Sequence, residues 1–341
     1  MSERSPFFSI CIPAYNCSAL INEALASIKL QTFDDWEVIV YNDGSCDDTA
    51  AICMKQRLIP PSKYSYYSGE NKGLLATRER LIKRATGQVI ISLDADDMLL
   101  DPEALYSIHQ AFVRHNCDLV LFNGTRNLET LEPFVDYSPI CGGKDGLLDA
   151  KKVKECFSLD YRINNIALKA YRRELAPLLN DAPFLNMTED RLQSLYVIQG
   201  SKKITLIDKP LYYYRPNPDS VTNRPFVSDY FFSQMLVEAE VDALARANGV
   251  AESKRKAFRD LILYGDLSTI RKTVSRKAAR LSIYQQIRES SDYQKYYKSR
   301  RISYMRLDRY VALSLFAMRH FEVMDVFLTL PLFIKSITAT R

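Results

Sequence analysis

Three segments near the start of the chain decide the fold: SICIPAYN at residues 9–16, QTFDDWEVIVYNDGSCDDT at 31–49 and ENKGLLATRERLIKRATGQVIISLDADD at 70–97. Each holds a short run rich in Val and Ile, and each run ends in polar residues before a stretch with helical spacing. This alternation predicts a mostly parallel sheet covered by helices. We therefore expect the polar residues to meet at the carboxyl edge of the strands, where open α/β sheets bind ligands.

The same alternation continues to residue 123. Strands are predicted at 8–12, 36–41, 64–68, 89–93 and 119–122. Helices are predicted at 19–30, 47–56, 74–85 and 102–115. Ser18, Asp47 and Pro102 supply capping chemistry at three of the helix starts.

The pattern changes twice further along the chain. Residues 132–146 contain Gly and Pro and predict a loop region, followed by mixed elements up to about residue 214. From residue 226 onwards the spacing is almost wholly helical. We expect a catalytic domain at 1–222, with halves at 1–123 and 124–222, and a helical domain at 223–341.

Composition excludes several classes of protein. The chain has 341 residues, 47% of them hydrophobic, and its seven cysteines are odd in number and form no CxxC pair, so a reducing cytoplasm fits better than a disulfide framework or a zinc site. His109, His115 and His320 lack metal spacing, which disfavours a zinc hydrolase. No GxGxxG follows a strand and no GxxxxGK[ST] is present, so dinucleotide dehydrogenases and P-loop enzymes are disfavoured.

The acidic run DADD at 94–97 follows a predicted strand and indicates a metal site. Three carboxylates within four residues repel one another unless a cation or hydrogen bonds compensate. Oxygen ligands suit Mg²⁺ or Mn²⁺, which bind one or two carboxylates together with phosphate oxygens and water. A helix cap before Pro102 would account for only one of the acids. The turn at Asp43 and Gly44 has a second interpretation as an ordinary tight turn.

These elements, in this order and spacing, resemble the family 2 glycosyltransferases of the GT-A fold. The resemblance implies an α/β architecture with a Rossmann-like mixed sheet flanked by helices and a site for a nucleotide-diphosphate sugar. In that family the first turn and the Asp of the DGS turn hold the nucleobase, the first Asp of the DxD element lies near the ribose, and the second, Asp96, binds the metal. The implied nucleotide-sugar residues are Pro13, Tyr15, Asn16, Asp43, Asn71, Gly73, Arg78, Asp94, Ala95 and Asp96.

Two positions depart from the family pattern. Asn42 stands where the first Asp of D-D-G-S is common, and Glu79 stands where an Asn commonly follows the Arg. Both leave the charge of the donor site intact, but they bear on which base is bound.

The later part of the chain adds a general base and a phosphate contact. MTEDRL at 187–192 resembles the family's E-D element, which implies that Asp190 takes the acceptor's proton. The alternative is an acidic first turn favoured by the helix dipole. PLYYYR at 210–215 resembles the segment that closes the catalytic domain. We propose Arg215 as a diphosphate contact because guanidinium pairs with phosphate oxygens, and the alternative is a surface Arg beside packed tyrosines.

The resemblance implies an inverting glycosyltransferase that moves a sugar from a nucleotide-diphosphate donor, a UDP-sugar, to a saccharide hydroxyl, with Mn²⁺ or Mg²⁺, in capsule, O-antigen or lipooligosaccharide synthesis. The acceptor would be a saccharide or a lipid-linked oligosaccharide. The alternatives are a nucleotidyltransferase, or a non-catalytic scaffold that binds glycan or membrane. Nucleic acid is not expected as a partner.

The basic C-terminal half leaves its partner open. Formal net charge is +5, and Lys and Arg crowd residues 254–309. The apolar stretch 311–337 is interrupted by Arg319, Glu322 and Asp325, which disfavours a spanning helix. Peripheral association with the cytoplasmic face of the inner membrane is one interpretation, and packing within its own domain or in a homodimer is the other.

Overall fold

The computed structural model describes residues 5–141, 145–176, 185, 187–217, 224–297 and 307–329. Two compact units divide the chain, residues 1–216 and residues 217–341. The boundary predicted after residue 222 falls among residues outside this description.

The first unit is built on one mixed sheet. Its strands, over the described residues, are β1 (Phe8–Ala14), β2 (Trp36–Asn42), β3 (Tyr64–Ser68), β4 (Val89–Ser92), β5 (Met98–Leu99), β6 (Leu119–Thr125), β7 (Gly146–Leu148), β8 (Lys169–Arg172) and β9 (Ile204–Tyr213). Their order is β3-β2-β1-β4-β8-β6-β9-β5, and β7 pairs with β9. All neighbours among β3, β2, β1 and β4 are parallel, as the sequence predicts. The mixed character comes from β8, which is antiparallel to both β4 and β6.

Helices cover the sheet, and their starts differ slightly from prediction. Those of the first unit are α1 (Ile21–Lys29), α2 (Thr49–Lys55), α3 (Leu74–Ile82), α4 (Ala104–His115), α5 (Ser138–Cys141), α6 (Ala150–Leu159) and α7 (Glu189–Gly200). Leu20 occupies the N-cap position of α1, so Ser18 does not cap this helix, and the backbone N–H of Ser18 donates to Asp47 at 3.0 Å. Asp47 also accepts from the N–H of Thr49 at 3.0 Å, and Pro102 lies in the turn that precedes α4.

Apolar burial fixes the parallel part of the sheet. Every residue of β1 and β4 is buried, and so is every residue of β6. Burial of a Val, Leu or Ile side chain contributes about 1.5–3 kcal/mol, so these strands anchor the unit. Because β1, β2 and β4 are parallel, the residues that follow them emerge at one edge of a rigid sheet.

The second unit is helical over its described residues. Its helices are α8 (Ser228–Ala247), α9 (Glu252–Thr273), α10 (Lys277–Glu289), α11 (Ser291–Tyr296), α12 (Leu307–Ala317) and α13 (Phe321–Phe327). Asp325, which interrupts the apolar C-terminal stretch, is buried and accepts two hydrogen bonds from Arg280, each 2.8 Å long. Within the described part of the chain no helix has the length and apolar character that crossing a membrane requires. Arg300, Arg301 and Arg306 lie outside the described residues, as does the end of the apolar stretch.

Candidate active site

The turns after β1 and β2 form one continuous surface at the carboxyl edge of the sheet. Asn16 adopts a left-handed backbone with φ 47°. Its side-chain oxygen accepts from the N–H of Cys46 at 2.8 Å, and its own N–H donates to Ser45 Oγ at 2.9 Å. Tyr15 beside it is 52% exposed, whereas Pro13 is buried at the strand end. The predicted nucleobase residues of the two turns therefore lie next to each other.

Asp43 orders the loop that precedes α3. Its buried carboxylate accepts from the backbone N–H groups of Lys72 at 3.0 Å and Gly73 at 2.9 Å, and Arg80 lies 3.4 Å away. Gly73 has φ 85°, a conformation that favours glycine, and Asn71 also accepts from its N–H at 3.2 Å. The turn therefore reverses the chain and, through Asp43, also holds the loop before α3. Contact between Asp43 and a nucleobase stays a prediction.

Asn42 shows why an amide can replace the common Asp at this position. Its Oδ1 accepts from the N–H of Ser45 at 3.0 Å, as a carboxylate would. Its Nδ2 donates to the hydroxyl of Tyr66 at 3.2 Å, which a carboxylate could not do. The substitution therefore keeps the shape of the turn without adding a charge to the site.

Side-chain and backbone groups of the protein itself compensate two of the three acids of the DADD run. Asp94 accepts from Arg78 at 2.9 Å. Asp97 is buried and accepts from the Tyr212 hydroxyl at 2.6 Å and from the N–H of Arg215 at 2.8 Å. Burial, reinforced by the charge of Asp94, raises the pKa of Asp97 to about 8. Asp97 is therefore a structural acid that fixes the turn.

Asp96 remains as the acid suited to a metal. Among the described residues no group hydrogen-bonds its half-buried carboxylate. The described residues also contain no cluster of three or more metal-binding side chains. One carboxylate is enough for Mg²⁺ or Mn²⁺ that takes its other ligands from phosphate and water. The neighbouring Ala95 is buried, so this turn presents Asp96 alone as an unpaired carboxylate.

Arg78 of α3 joins the DADD turn to α7. Its guanidinium is 3% exposed and donates to Asp190, to Asp94 at 2.9 Å and to Gln193 at 3.2 Å. Burial opposes the charge of Arg78, but the carboxylates of Asp190 and Asp94 outweigh burial and raise the pKa of the guanidinium above its ordinary value. The structure thus brings together three residues that the sequence placed in the site separately. Direct contact between Arg78 and the nucleotide stays a prediction.

Asp190 lies in the first turn of α7, after Thr188 with φ 74°. Arg78 engages only its Oδ1, and no described group hydrogen-bonds Oδ2. Burial, followed by the charge of Asp190, raises the pKa of the adjacent Glu189 to about 7. Because α7 begins where Arg78 contacts it, Asp190 can belong to an acidic first turn of the helix and also face the site as a base.

Sequence reasoning missed the residues that hold α7 on its other side. Arg191 is 1% exposed, and its Nη1 donates to the carbonyls of Phe157 at 3.1 Å and Asp160 at 3.0 Å and to Asn164 Oδ1 at 2.7 Å. Lys169 of β8 is equally buried. No local sequence signal marks either residue, because β8 reads KAYR and the first turn of α7 is itself charged.

Arg215 lies against the DADD turn. Its Nε donates to the carbonyl of Asp96 at 2.9 Å, its Nη2 donates to Glu23 at 2.6 Å, and its guanidinium lies 5.4 Å from the Tyr213 ring centroid. The guanidinium therefore lies beside the DADD turn and also beside a packed tyrosine. Contact with a diphosphate stays a prediction, and Ser220, which follows this segment in the sequence, lies outside the described residues.

A cavity of about 310 Å³ lies beside α6 in the second half of the unit. Both apolar and charged side chains line it, most of them from α5, α6 and the segment that follows α6. The lining residues are Asp136, Ile140, Lys152, Glu155, Cys156, Leu159, Asp160, Arg162 and Ile163. Since the carbonyl of Asp160 also holds Arg191, this cavity adjoins the segment that supports α7.

Comparison with known proteins agrees with this geometry. Residues 9–154 match the family model described as Glycosyl transferase family 2. The putative glycosyltransferase EpsH of Bacillus subtilis (strain 168) is 25% identical over 268 residues, which is 76% of this chain and 75% of that protein. The chondroitin synthase of Escherichia coli is 33% identical over 127 residues, which is 37% of this chain and 18% of that protein.

The fold has a counterpart among solved structures. The crystal structure of S. aureus TarS 1-349 in complex with UDP-GlcNAc superposes with a TM-score of 0.65 at 19% identity, covering 94% of this chain and 89% of that one. The mixed sheet with its flanking helices has the GT-A fold, and a helical region follows it in the chain. Residues 9–154, within the first unit, therefore form a glycosyltransferase family 2 domain.

Proposed function

We propose that this enzyme is an inverting, metal-dependent glycosyltransferase that moves a sugar from a nucleotide-diphosphate donor, a UDP-sugar, to a hydroxyl of a saccharide acceptor. One observation carries the proposal: buried Arg78 holds Asp94 at the donor edge and Asp190 at the head of α7 on a single guanidinium. The donor's reacting carbon and the acceptor's hydroxyl would meet between these two carboxylates. UDP-GlcNAc bound to TarS supports the nucleotide class.

Asp190 provides the base. An alcohol is a weak nucleophile until its proton is removed as it attacks. We assign this proton to Asp190 Oδ2, because Arg78 occupies Oδ1. As the acceptor oxygen bonds to the anomeric carbon, the bond from that carbon to the diphosphate breaks and its electron pair leaves with the diphosphate. A single displacement inverts the anomeric centre, so an α-linked donor would give a β-linkage.

Asp96 would hold a divalent metal ion through its unpaired carboxylate. A bound Mg²⁺ or Mn²⁺ would offset the charge that develops on the leaving diphosphate. Arg215 would add a second positive charge, since its guanidinium already lies against the carbonyl of Asp96. We assign the nucleoside to the surface formed by the first two turns and the loop before α3. The residues of that surface are Pro13, Tyr15, Asn16, Asp43, Asn71 and Gly73.

We place the acceptor in bacterial surface-polysaccharide synthesis, such as that of capsule, O-antigen or lipooligosaccharide. The chondroitin synthase of Escherichia coli, which shares 33% identity over 127 residues, supports a polysaccharide product. The cavity beside α6 also adjoins α7, since Asp160 lines it and its carbonyl accepts from Arg191 of that helix.

A donor screen tests this function. Nucleotide release from UDP-, GDP- and dTDP-sugars is followed with Mn²⁺, Mg²⁺ or EDTA, using p-nitrophenyl glycosides as acceptors. We expect one donor to be consumed only with metal, and Asp96→Ala to lose at least about 100-fold in kcat/KM. Asp35→Asn is the matched control, because Asp35 is exposed at the opposite end of β2. Wild-type protein that consumes none of these donors would indicate a binding scaffold.

A further inference from the structure

Lys169 is a buried, charged side chain of the sheet that has no role in the proposed reaction. It lies in β8, between β4 and β6, and is 1% exposed. Burying an ammonium in a sheet interior is unfavourable unless other groups compensate its charge. Burial accordingly lowers the pKa of Lys169 to about 7, although nearby Asp190 favours the charged form. An apolar residue would fill the same space without this unfavourable free energy, so we expect the amine to have a specific role.

The amine holds the short segment before β8. Nζ of Lys169 donates to the carbonyl of Ile163 at 2.7 Å and to the carbonyl of Asn165 at 2.6 Å. Both carbonyls belong to one three-residue segment, 163–165. Lys169 therefore fixes the backbone of this segment at its two ends.

Helix α7 holds the same segment at its middle residue. Arg191 donates to Asn164 Oδ1 at 2.7 Å, and the hydroxyl of Ser194 donates to the carbonyl of Asn164. Lys169 on one side and α7 on the other thus hold alternate residues of 163–165. Arg191 follows Asp190 directly, so movement of this segment would move the proposed base.

We infer that Lys169 is a positioning residue, which sets the placement of Asp190 through segment 163–165 without touching the substrate. Arg78 holds the first turns of α7 from the donor side, through Asp190 and Gln193. Lys169 and segment 163–165 hold the same turns from the other side, through Arg191 and Ser194. Two supports are needed because a single ion pair leaves a helix free to pivot, and misplacement of a catalytic group by about 1 Å can cost about 100-fold in rate.

The inference rests on the proposed function for its kinetic part only. We compare Lys169→Met and Ser194→Ala with wild type, using the donor that the screen selects and p-nitrophenyl glycosides as acceptors. Ser194→Ala removes only one hydroxyl and is expected to fold. It therefore tests the inference even if Lys169→Met does not fold. We expect kcat to fall at least about tenfold in each variant, while the donor KM and the Kd for UDP change less than about twofold.

A double-mutant cycle separates positioning from general loss of structure. Because both residues act on one segment, the double variant should lose no more kcat than the worse single variant. Lys151→Met, an exposed position on α6, is the control and should behave as wild type. Wild-type kcat in both single variants, or losses that add, would overturn the inference.

Amide hydrogen exchange tests the inference even if no sugar nucleotide is turned over. We expect residues 189–195 to exchange at least about tenfold faster in Lys169→Met and in Ser194→Ala than in wild type, with the core of β1 unchanged. Unchanged protection of 189–195 in both variants would overturn the positioning role independently of the enzyme's activity.

Discussion

Arg78 is the residue on which the site depends most. It is nearly completely buried and binds two carboxylates that are 25% and 31% exposed. Without its charge, Asp94 and Asp190 would face each other across the site and repel. In the proposed mechanism a single guanidinium therefore serves both folding and catalysis, because it neutralises the acids and sets the spacing between Asp94 and α7.

Replacing Arg78 tests this double role. We expect Arg78→Met to lower the free energy of unfolding by about 2–4 kcal/mol, since removing one partner leaves partly buried charges uncompensated. Urea denaturation measures the loss. Arg114→Met, at an exposed position of α4, is the control and should change stability by less than about 0.5 kcal/mol. Equal stability of the two variants would show that the contacts of Arg78 contribute nothing to the fold.

At the scale of elements, the turns that follow the strands pack against one another in addition to forming the proposed ligand site. Gly44 has φ 73°, and a side-chain carbon there would lie 2.9 Å from the backbone nitrogen of Asn71. The turn after β2 therefore packs directly on the loop that Asp43 orders. This close approach couples the two parts of the surface to which we assign the nucleoside.

A pair of glycine variants isolates that coupling. Gly249 has nearly the same backbone, φ 75°, but no atom lies within 4 Å of a carbon added there. We expect Gly249→Ala to lose about 1–2 kcal/mol of stability from left-handed strain, and Gly44→Ala to lose more, because its added carbon would also lie 2.9 Å from the backbone nitrogen of Asn71. Only Gly44→Ala should raise the donor KM, by about tenfold, in steady-state kinetics. A donor KM that is unchanged in Gly44→Ala would separate this turn from donor binding.

The sequence predicts the donor edge well because its signals are local. Apolar runs that end in polar turns predict β1, β2, β3, β4 and β6 to within a few residues. Strand β8 was missed because its four residues, KAYR, begin and end with a charge. Helices α1, α2 and α4 begin two residues later than predicted. The residues predicted to cap or start them lie in the turns that precede the helices.

The rest of the site depends on contacts between distant parts of the chain. Arg78 meets Asp190 across 112 residues, and Asp97 meets Tyr212 across 115. Nothing near Asp97 in the sequence reveals that it is paired with a tyrosine, so its structural role could not be predicted from the DADD run alone. Resemblance to a family supplied the role of Asp190, whereas local chemistry alone favoured an ordinary helix start.

At the scale of the molecule, the chain combines a GT-A catalytic unit with a helical unit. Buried ion pairs hold the helical unit: Asp242 binds Arg255 and Arg259, and Asp325 binds Arg280. Part of its positive charge is therefore structural. Association with a membrane surface stays a prediction: Arg300, Arg301 and Arg306 of the basic segment and residues 330–337 of the apolar stretch lie outside the described part of the chain.

The whole enzyme must bind a donor at one edge and deliver a proton to Asp190 from an acceptor, so both properties are measured together in Asp190→Asn. Sugar transfer to p-nitrophenyl glycosides gives kcat, and calorimetric titration with UDP gives nucleotide affinity. We predict that kcat falls by about 100- to 10,000-fold while the Kd for UDP stays within about threefold, with Asp35→Asn unchanged in both. Sugar transfer by Asp190→Asn at the wild-type rate would contradict the assignment of the base and the mechanism built on it.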